Sequence, residues 1–170
     1  MSKTKMLSRF VVTAALIAAA YVVLTYLSAA FGLAYGGIQF RLSEALNVLA
    51  AFTPAAVPGL TLGCVIANIG SPFGIIDVIV GAVATCASAV TISWISKFGK
   101  KATPFLSILP PTVFNAVLVG FEITAFLPEG VTALGFLITA LQVAVGEVAV
   151  CGVLGVPLYY GIKNRAKNLF

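Results

Sequence analysis

The chain has no histidine, and only 9% of its 170 residues are charged, ten basic against five acidic. Soluble domains carry roughly 25% charged residues. So little charge cannot cover a water-facing surface. With 61% hydrophobic residues and a mean hydropathy of +1.11, residues 1–170 read as a single integral membrane domain whose solvent is lipid. The missing histidine, and the lack of CxxC spacing among Cys64, Cys86 and Cys151, argue against a zinc site; each cysteine reads as a small buried hydrophobe. No Walker motif, glycine-rich phosphate loop or GxSxG elbow is present. The pattern is that of a protein without enzymatic activity, cofactor or metal. The net charge of +5 could suggest nucleic acid, but the basic residues sit at segment ends, as in membrane topology.

Apolar runs mark an all-α bundle of six membrane segments: roughly residues 10–31, 42–53, 55–69, 75–95, 105–127 and 134–160. Four approach or exceed the ~20 residues a bilayer requires. The segments at 42–53 and 55–69 are short and meet near "FTPAAVPG". They are expected either as two tilted helices or as a re-entrant pair covered by protein. The N-terminal run extends through Phe31, too long for a signal-peptide core, and reads as the first span. Six crossings put Lys3, Lys5, Arg9, Lys97, Lys100, Lys101, Lys163, Arg165 and Lys167 on one side and Arg41 alone on the other. By the positive-inside rule the first side is cytoplasmic, with both termini.

Polar side chains gather toward the opposite side: Gln39, Arg41, Glu44, Asn68, Asp77, Asn115, Glu122 and Gln142. Ionisable groups in spans are costly, by roughly 2.5–3.5 kcal/mol each on insertion scales, and normally face protein or a wet cavity. Arg41 and Glu44 are three apart and share a helical face if the helix starts early. Asn115 and Glu122, seven apart, also share a face. These placements suit a solute pocket lined from several helices. Glu147 is deeper, roughly 20 Å along the last span at ~1.5 Å per residue.

Local roles compete with that reading. Arg41 can pair with Glu44 at the interface, Asp77 can sit in the first turn of its helix, Asn68 can cap its own, and Glu147 can bond a neighbouring hydroxyl. Glu129 in "LPEGV" reads as an exposed turn residue. An aromatic belt accounts for most of Tyr21, Tyr26, Trp94, Tyr159 and Tyr160. In the first span, Ala14 with Ala18 and Ala15 with Ala19 have the spacing that lets helices approach closely in lipid. That stripe serves either internal packing or docking to another membrane subunit.

The stretch "IQFRLSEALNVLAAFTPAAVPGLTLGCVIANIGSPFGIIDVIVGAVAT", Ile38 to Thr85, resembles the queuosine-precursor transporter (QueT) family, substrate-binding S components of energy-coupling factor (ECF) importers. The matching pieces are "QFRLSEAL", "FTPAAVPGLTLGC", Ala67–Asn68 and "DVIVGAVAT". The resemblance implies capture of a 7-deazapurine, queuine or 7-aminomethyl-7-deazaguanine, and delivery through a membrane T component and two ATPases. The chemistry of such a ligand, set against the polar positions above, makes Glu44, Asn68, Asp77, Asn115, Glu122 and Gln142 the expected contacts, with Arg41 and Gln39 at the mouth and Tyr35, Phe40 and Phe73 as walls. It also implies T-component docking through Ala14, Ala15, Ala18 and Ala19. An S component for another metabolite, or a stand-alone proton-driven carrier using Glu122 and Glu147, remain the alternatives.

Overall fold

The computed structural model describes residues 3–99 and 102–165. Lys100, Lys101 and Lys167, part of the sidedness argument, lie outside them. Among the described residues, four helical stretches are long and apolar enough to cross a membrane: Lys3–Ala30, Ile75–Ile95, Thr103–Ala125 and Ala133–Arg165. The first is α1 (Lys3–Ala30) and the second α3 (Ile75–Ile95). The third comprises α4 (Thr103–Leu106) and α5 (Leu109–Ala125). The fourth comprises α6 (Ala133–Val150), a π-helical turn at Cys151–Gly155, and α7 (Val156–Arg165).

Between α1 and α3 lie a 3₁₀ helix (Leu42–Ala51) and α2 (Ala56–Asn68). Each leg is about 20 Å long at 2.0 and 1.5 Å per residue, short of the ~30 Å hydrocarbon core. Arg41, at the head of the first leg, bonds Asn68 at the tail of the second, so the two form a hairpin. Its tip reaches toward α7, where Phe52 packs on Tyr159 at 4.8 Å between ring centroids. The hairpin touches α1 and α3 along its length, which keeps its backbone away from lipid.

The 42–53 segment thus winds as a 3₁₀ helix, tighter than the ordinary helix the apolar run suggests. In that winding residues three apart eclipse, which stacks Glu44 beneath Asn47 on one buried edge. Arg41 precedes the helix in an extended conformation, φ −80° and ψ 101°. It therefore does not share a helical face with Glu44.

Small residues set the helix spacing. α1 and α2 run parallel, with Ala14 against Gly59 and Ala18 against Gly63. A Cβ on Gly63 would lie 2.7 Å from Tyr21 Cβ and 2.9 Å from the Ala18 carbonyl oxygen. On the other side of the bundle, Gly120 of α5 meets Ala140 of α6, and Thr139 Oγ1 donates to the Gly120 carbonyl at 2.8 Å. One apolar core gathers Ile17, Tyr21, Leu60, Cys64, Ala89 and Ile92; a second gathers Val119, Ile123 and Val143.

Ala14 and Ala18 are buried at 8% exposure by this internal packing. Ala15 and Ala19 remain exposed and line an open groove of about 480 Å³ with Ala18, Val22, Val23, Leu62 and Ile66. Tyr21, fully buried, and Tyr159, 5% exposed, belong to the interior and not to an aromatic belt.

The substitution Gly63→Leu forces α1 and α2 apart, at a cost of about 1–3 kcal/mol for overpacking. It should lower the midpoint of thermal unfolding in detergent; an unchanged midpoint would contradict the close contact.

Candidate ligand-binding site

The loops at 31–41, 69–74 and 126–132 meet at one end of the bundle, called here the mouth. Tyr35 Oη donates to the Ala67 carbonyl at 2.8 Å, and Phe73 stacks on Phe126 at 5.2 Å between ring centroids. Phe40 closes the first loop through its N–H to the Leu33 carbonyl, 2.8 Å. Gln39 rides directly on α6: a Cβ at Gly146 would overlap its backbone carbonyl. Glycine at 146 is therefore what lets the loop seat there. The Gln142 carboxamide lies against Gly37 in the same way.

Below the mouth, Arg41 Nη2 donates to Asn68 Oδ1 at 2.7 Å. Asn68 Nδ2 in turn donates to the Asp77 carbonyl at 2.9 Å and to Asp77 Oδ1 at 3.2 Å. The guanidinium also lies 5.8 Å from the Tyr35 ring centre, a cation–π contact. This relay ties the head of the 3₁₀ helix to α2 and α3. Its members sit at helix ends, yet Asn68 and Asp77 bond each other. α3 starts at Gly74 without a side-chain cap.

A deeper network surrounds Glu44. Tyr21 Oη donates to its Oε1. Asn47 Nδ2 donates to Oε2 at 2.6 Å, and Asn115 Nδ2 approaches the same oxygen at 3.5 Å. The Asn115 amide donates more closely to Glu147 Oε1, 2.6 Å. Cys151 Sγ, from the π turn, lies 3.8 Å from Glu147 Oε2. Asn115 is thus the bridge between two buried carboxylates.

Glu122 is different. Its residue is only 3% exposed, yet neither carboxylate oxygen has a hydrogen-bond partner. Asp77 and Arg41 are the charged groups close enough to act on it. It lines a groove of about 480 Å³ together with Ile76 and Val80 of α3, Val117, Leu118, Phe121 and Ala125 of α5, Phe126, and Phe136 of α6. Phe73 backs that groove through its stack on Phe126. The volume falls within the ~300–1,000 Å³ of small-molecule sites, which are mainly apolar with a few polar groups.

The predicted polar residues therefore divide. Arg41, Asn68, Asp77 and Tyr35 form the relay. Glu44 and Asn115 belong to the deep network, with Asn47, Tyr21 and Glu147. Glu122 and Phe73 belong to the groove. Gln142 lines a separate cavity of about 360 Å³ at the mouth, with Glu129 and Thr139. Each group is held by its own contacts. Sequence reading passed over Asn47 and Tyr21. The signals were there: Asn47 follows Glu44 by three, and Tyr21 lies well inside a span.

The sequence profile of the family described as "QueT transporter" matches residues 11–164. The chain belongs to the QueT transporter family. The family consists of transporters and not enzymes, and the apolar helices make this member a multi-pass membrane protein. It is similar to the queuosine precursor transporter QueT of Lactococcus lactis subsp. cremoris (strain MG1363), 45% identical over 75 residues. That match covers 44% of this chain and 44% of the relative. No solved structure matches.

Removing the bridging amide leaves two buried carboxylates without their shared donor, which costs about 1–3 kcal/mol. Asn115→Leu should therefore unfold at lower temperature than the parent; equal stability would show the bridge to be dispensable.

Proposed function

We propose that this protein imports a queuosine precursor, acting as the substrate-binding S subunit of an ECF importer. The ligand is a 7-deazapurine such as queuine or 7-aminomethyl-7-deazaguanine, held in the groove at Glu122. The observation that carries this reading is the unpartnered Glu122 carboxylate in an otherwise apolar, aromatic-lined groove. A carboxylate without donors in such surroundings costs several kcal/mol. A guest bearing donors removes that cost on binding. Phe121, Phe126 and Phe136 offer apolar walls to a flat ring. The family membership and the named relative support the ligand class.

In this reading Glu44 and Asn115 are framework, because their polar atoms already serve one another. The Arg41–Asn68–Asp77 relay holds the mouth loop in place, with Gln39 and Phe40 as its inner end. The mouth faces outward, and the lysine-bearing end faces the cytoplasm of a cell membrane, a placement that the charge asymmetry supports. The exposed groove at Ala15 and Ala19 takes the T component, and two ATPases drive delivery. A small-residue surface admits the close helix approach such docking in lipid needs.

Calorimetry with 7-aminomethyl-7-deazaguanine should show sub-micromolar binding by purified protein. Glu122→Gln should weaken it by about 1.5–3 kcal/mol, the worth of a hydrogen bond to a charged group. Unchanged affinity would move the site away from the groove. Ala15→Leu should leave binding intact while reducing uptake by cells that carry the full importer. Normal uptake by that variant would remove α1 from the docking surface, and uptake that persists without the ATPases would replace the importer with a stand-alone carrier.

A further inference from the structure

Resting on the reading that the groove holds a deazapurine, we infer that Arg41 is a second ligand-reading residue of that site. Glu122 accepts the ring N–H of a lactam edge, and Arg41 Nε donates to the carbonyl oxygen beside it. Together the two select 6-oxo rings over 6-amino ones.

The buried polar atoms that lack a hydrogen-bond partner carry this. Among the described residues they are Asn47 Oδ1, Arg41 Nε and both carboxylate oxygens of Glu122. Asn47 belongs to the deep network through its amide nitrogen. The other three are one donor and two acceptors, on residues 4% and 3% exposed, and Arg41 is close enough for its charge to act on Glu122. Burial without a partner is costly for each group, and opposite charges attract strongly where the dielectric is low. Yet Glu122 does not bond Arg41. Asn68 holds Arg41 Nη2 at 2.7 Å, and the guanidinium lies over the Tyr35 ring. Because the guanidinium is a rigid plane, these contacts also fix where Nε–H points. Asp77, the other charge acting on Glu122, is engaged by Asn68.

The group that suits this pair has a donor and an acceptor side by side. A donor-only guest would satisfy Glu122 and leave Nε alone; an acceptor-only guest would do the reverse. A ring lactam, with N–H next to C=O, satisfies both at once. A 6-amino ring turns both contacts round, setting an amine against Nε–H and a ring-nitrogen lone pair against the carboxylate. The remaining side chains on the groove wall are apolar, so none of them supplies the donor that the carbonyl needs. The three atoms are closed to solvent. The lactam edge is therefore the inserted end of the guest, pushed in past the groove wall, while the rest of the ring stays among Phe121, Phe126 and Phe136.

The test compares two ligands of one shape by calorimetry: 7-deazaguanine, which carries the lactam, and 2,6-diamino-7-deazapurine, which reverses it. The parent protein should bind 7-deazaguanine at least about ten-fold more tightly, because the reversed edge leaves buried groups unpaired. Arg41→Lys keeps a cation for Asn68 but has no donor along its stem. It should narrow the preference at least about five-fold, by weakening 7-deazaguanine and sparing the diamino ring. Equal affinity of the parent for both ligands would overturn the inference while leaving the deazapurine reading in place, even if the variant fails to fold. A variant that keeps the full preference, or that weakens both ligands alike as a purely structural Arg41 would, also overturns it. Binding of neither ligand by the parent would overturn both readings.

Discussion

Hydrocarbon is a poor host for a carboxylate, and the architecture of this protein follows from how each buried acid is supplied. An isolated ionised group in such a medium is unaffordable, so donors or a cation must be built around it. Glu44 receives Tyr21, Asn47 and Asn115. Glu147 receives Asn115 and the Cys151 thiol. Asp77 receives Asn68, which Arg41 holds in turn. Glu122 alone among these four receives nothing. The bundle therefore contains three acids bonded to its own side chains and a fourth without a partner, the one we propose a guest supplies.

Local geometry makes this division possible. The 3₁₀ winding of Leu42–Ala51 stacks Glu44 and Asn47, which an α-helix would rotate out of line. The hairpin legs are short, so the polar head of the first leg and the polar tail of the second stay at one depth and meet as Arg41 and Asn68. Glycine does the rest by leaving space. Gly146 receives the loop backbone at Gln39, and Gly59 and Gly63 receive α1. That last contact consumes Ala14 and Ala18, so one small-residue stripe serves the interior while Ala15 and Ala19 stay available.

The sequence made the membrane class, the four long spans and the two short segments readable, because hydropathy and length follow directly from bilayer thickness. It also pointed to most of the polar residues that the structure buries, since a polar side chain inside an apolar run has few places to go. It did not reveal which of them satisfy each other. Asn115 and Glu122 share a helical face by spacing, yet one is saturated and the other is empty-handed. That depends on contacts 32 residues away for Asn115 to Glu147 and 71 away for Asn115 to Glu44, which no local pattern encodes. Tyr21 misled for a related reason: a tyrosine in a span looks like an interfacial anchor until its hydroxyl is seen on Glu44.

The most direct measurement is an experimental structure of the protein with 7-aminomethyl-7-deazaguanine bound. The account predicts the ring among Phe121, Phe126 and Phe136, with one of its N–H donors within hydrogen-bonding distance of Glu122 and the Glu44–Asn115–Glu147 network unchanged. A ligand seated against Glu44 or Glu147, with the Glu122 carboxylate still lacking any partner, would contradict it.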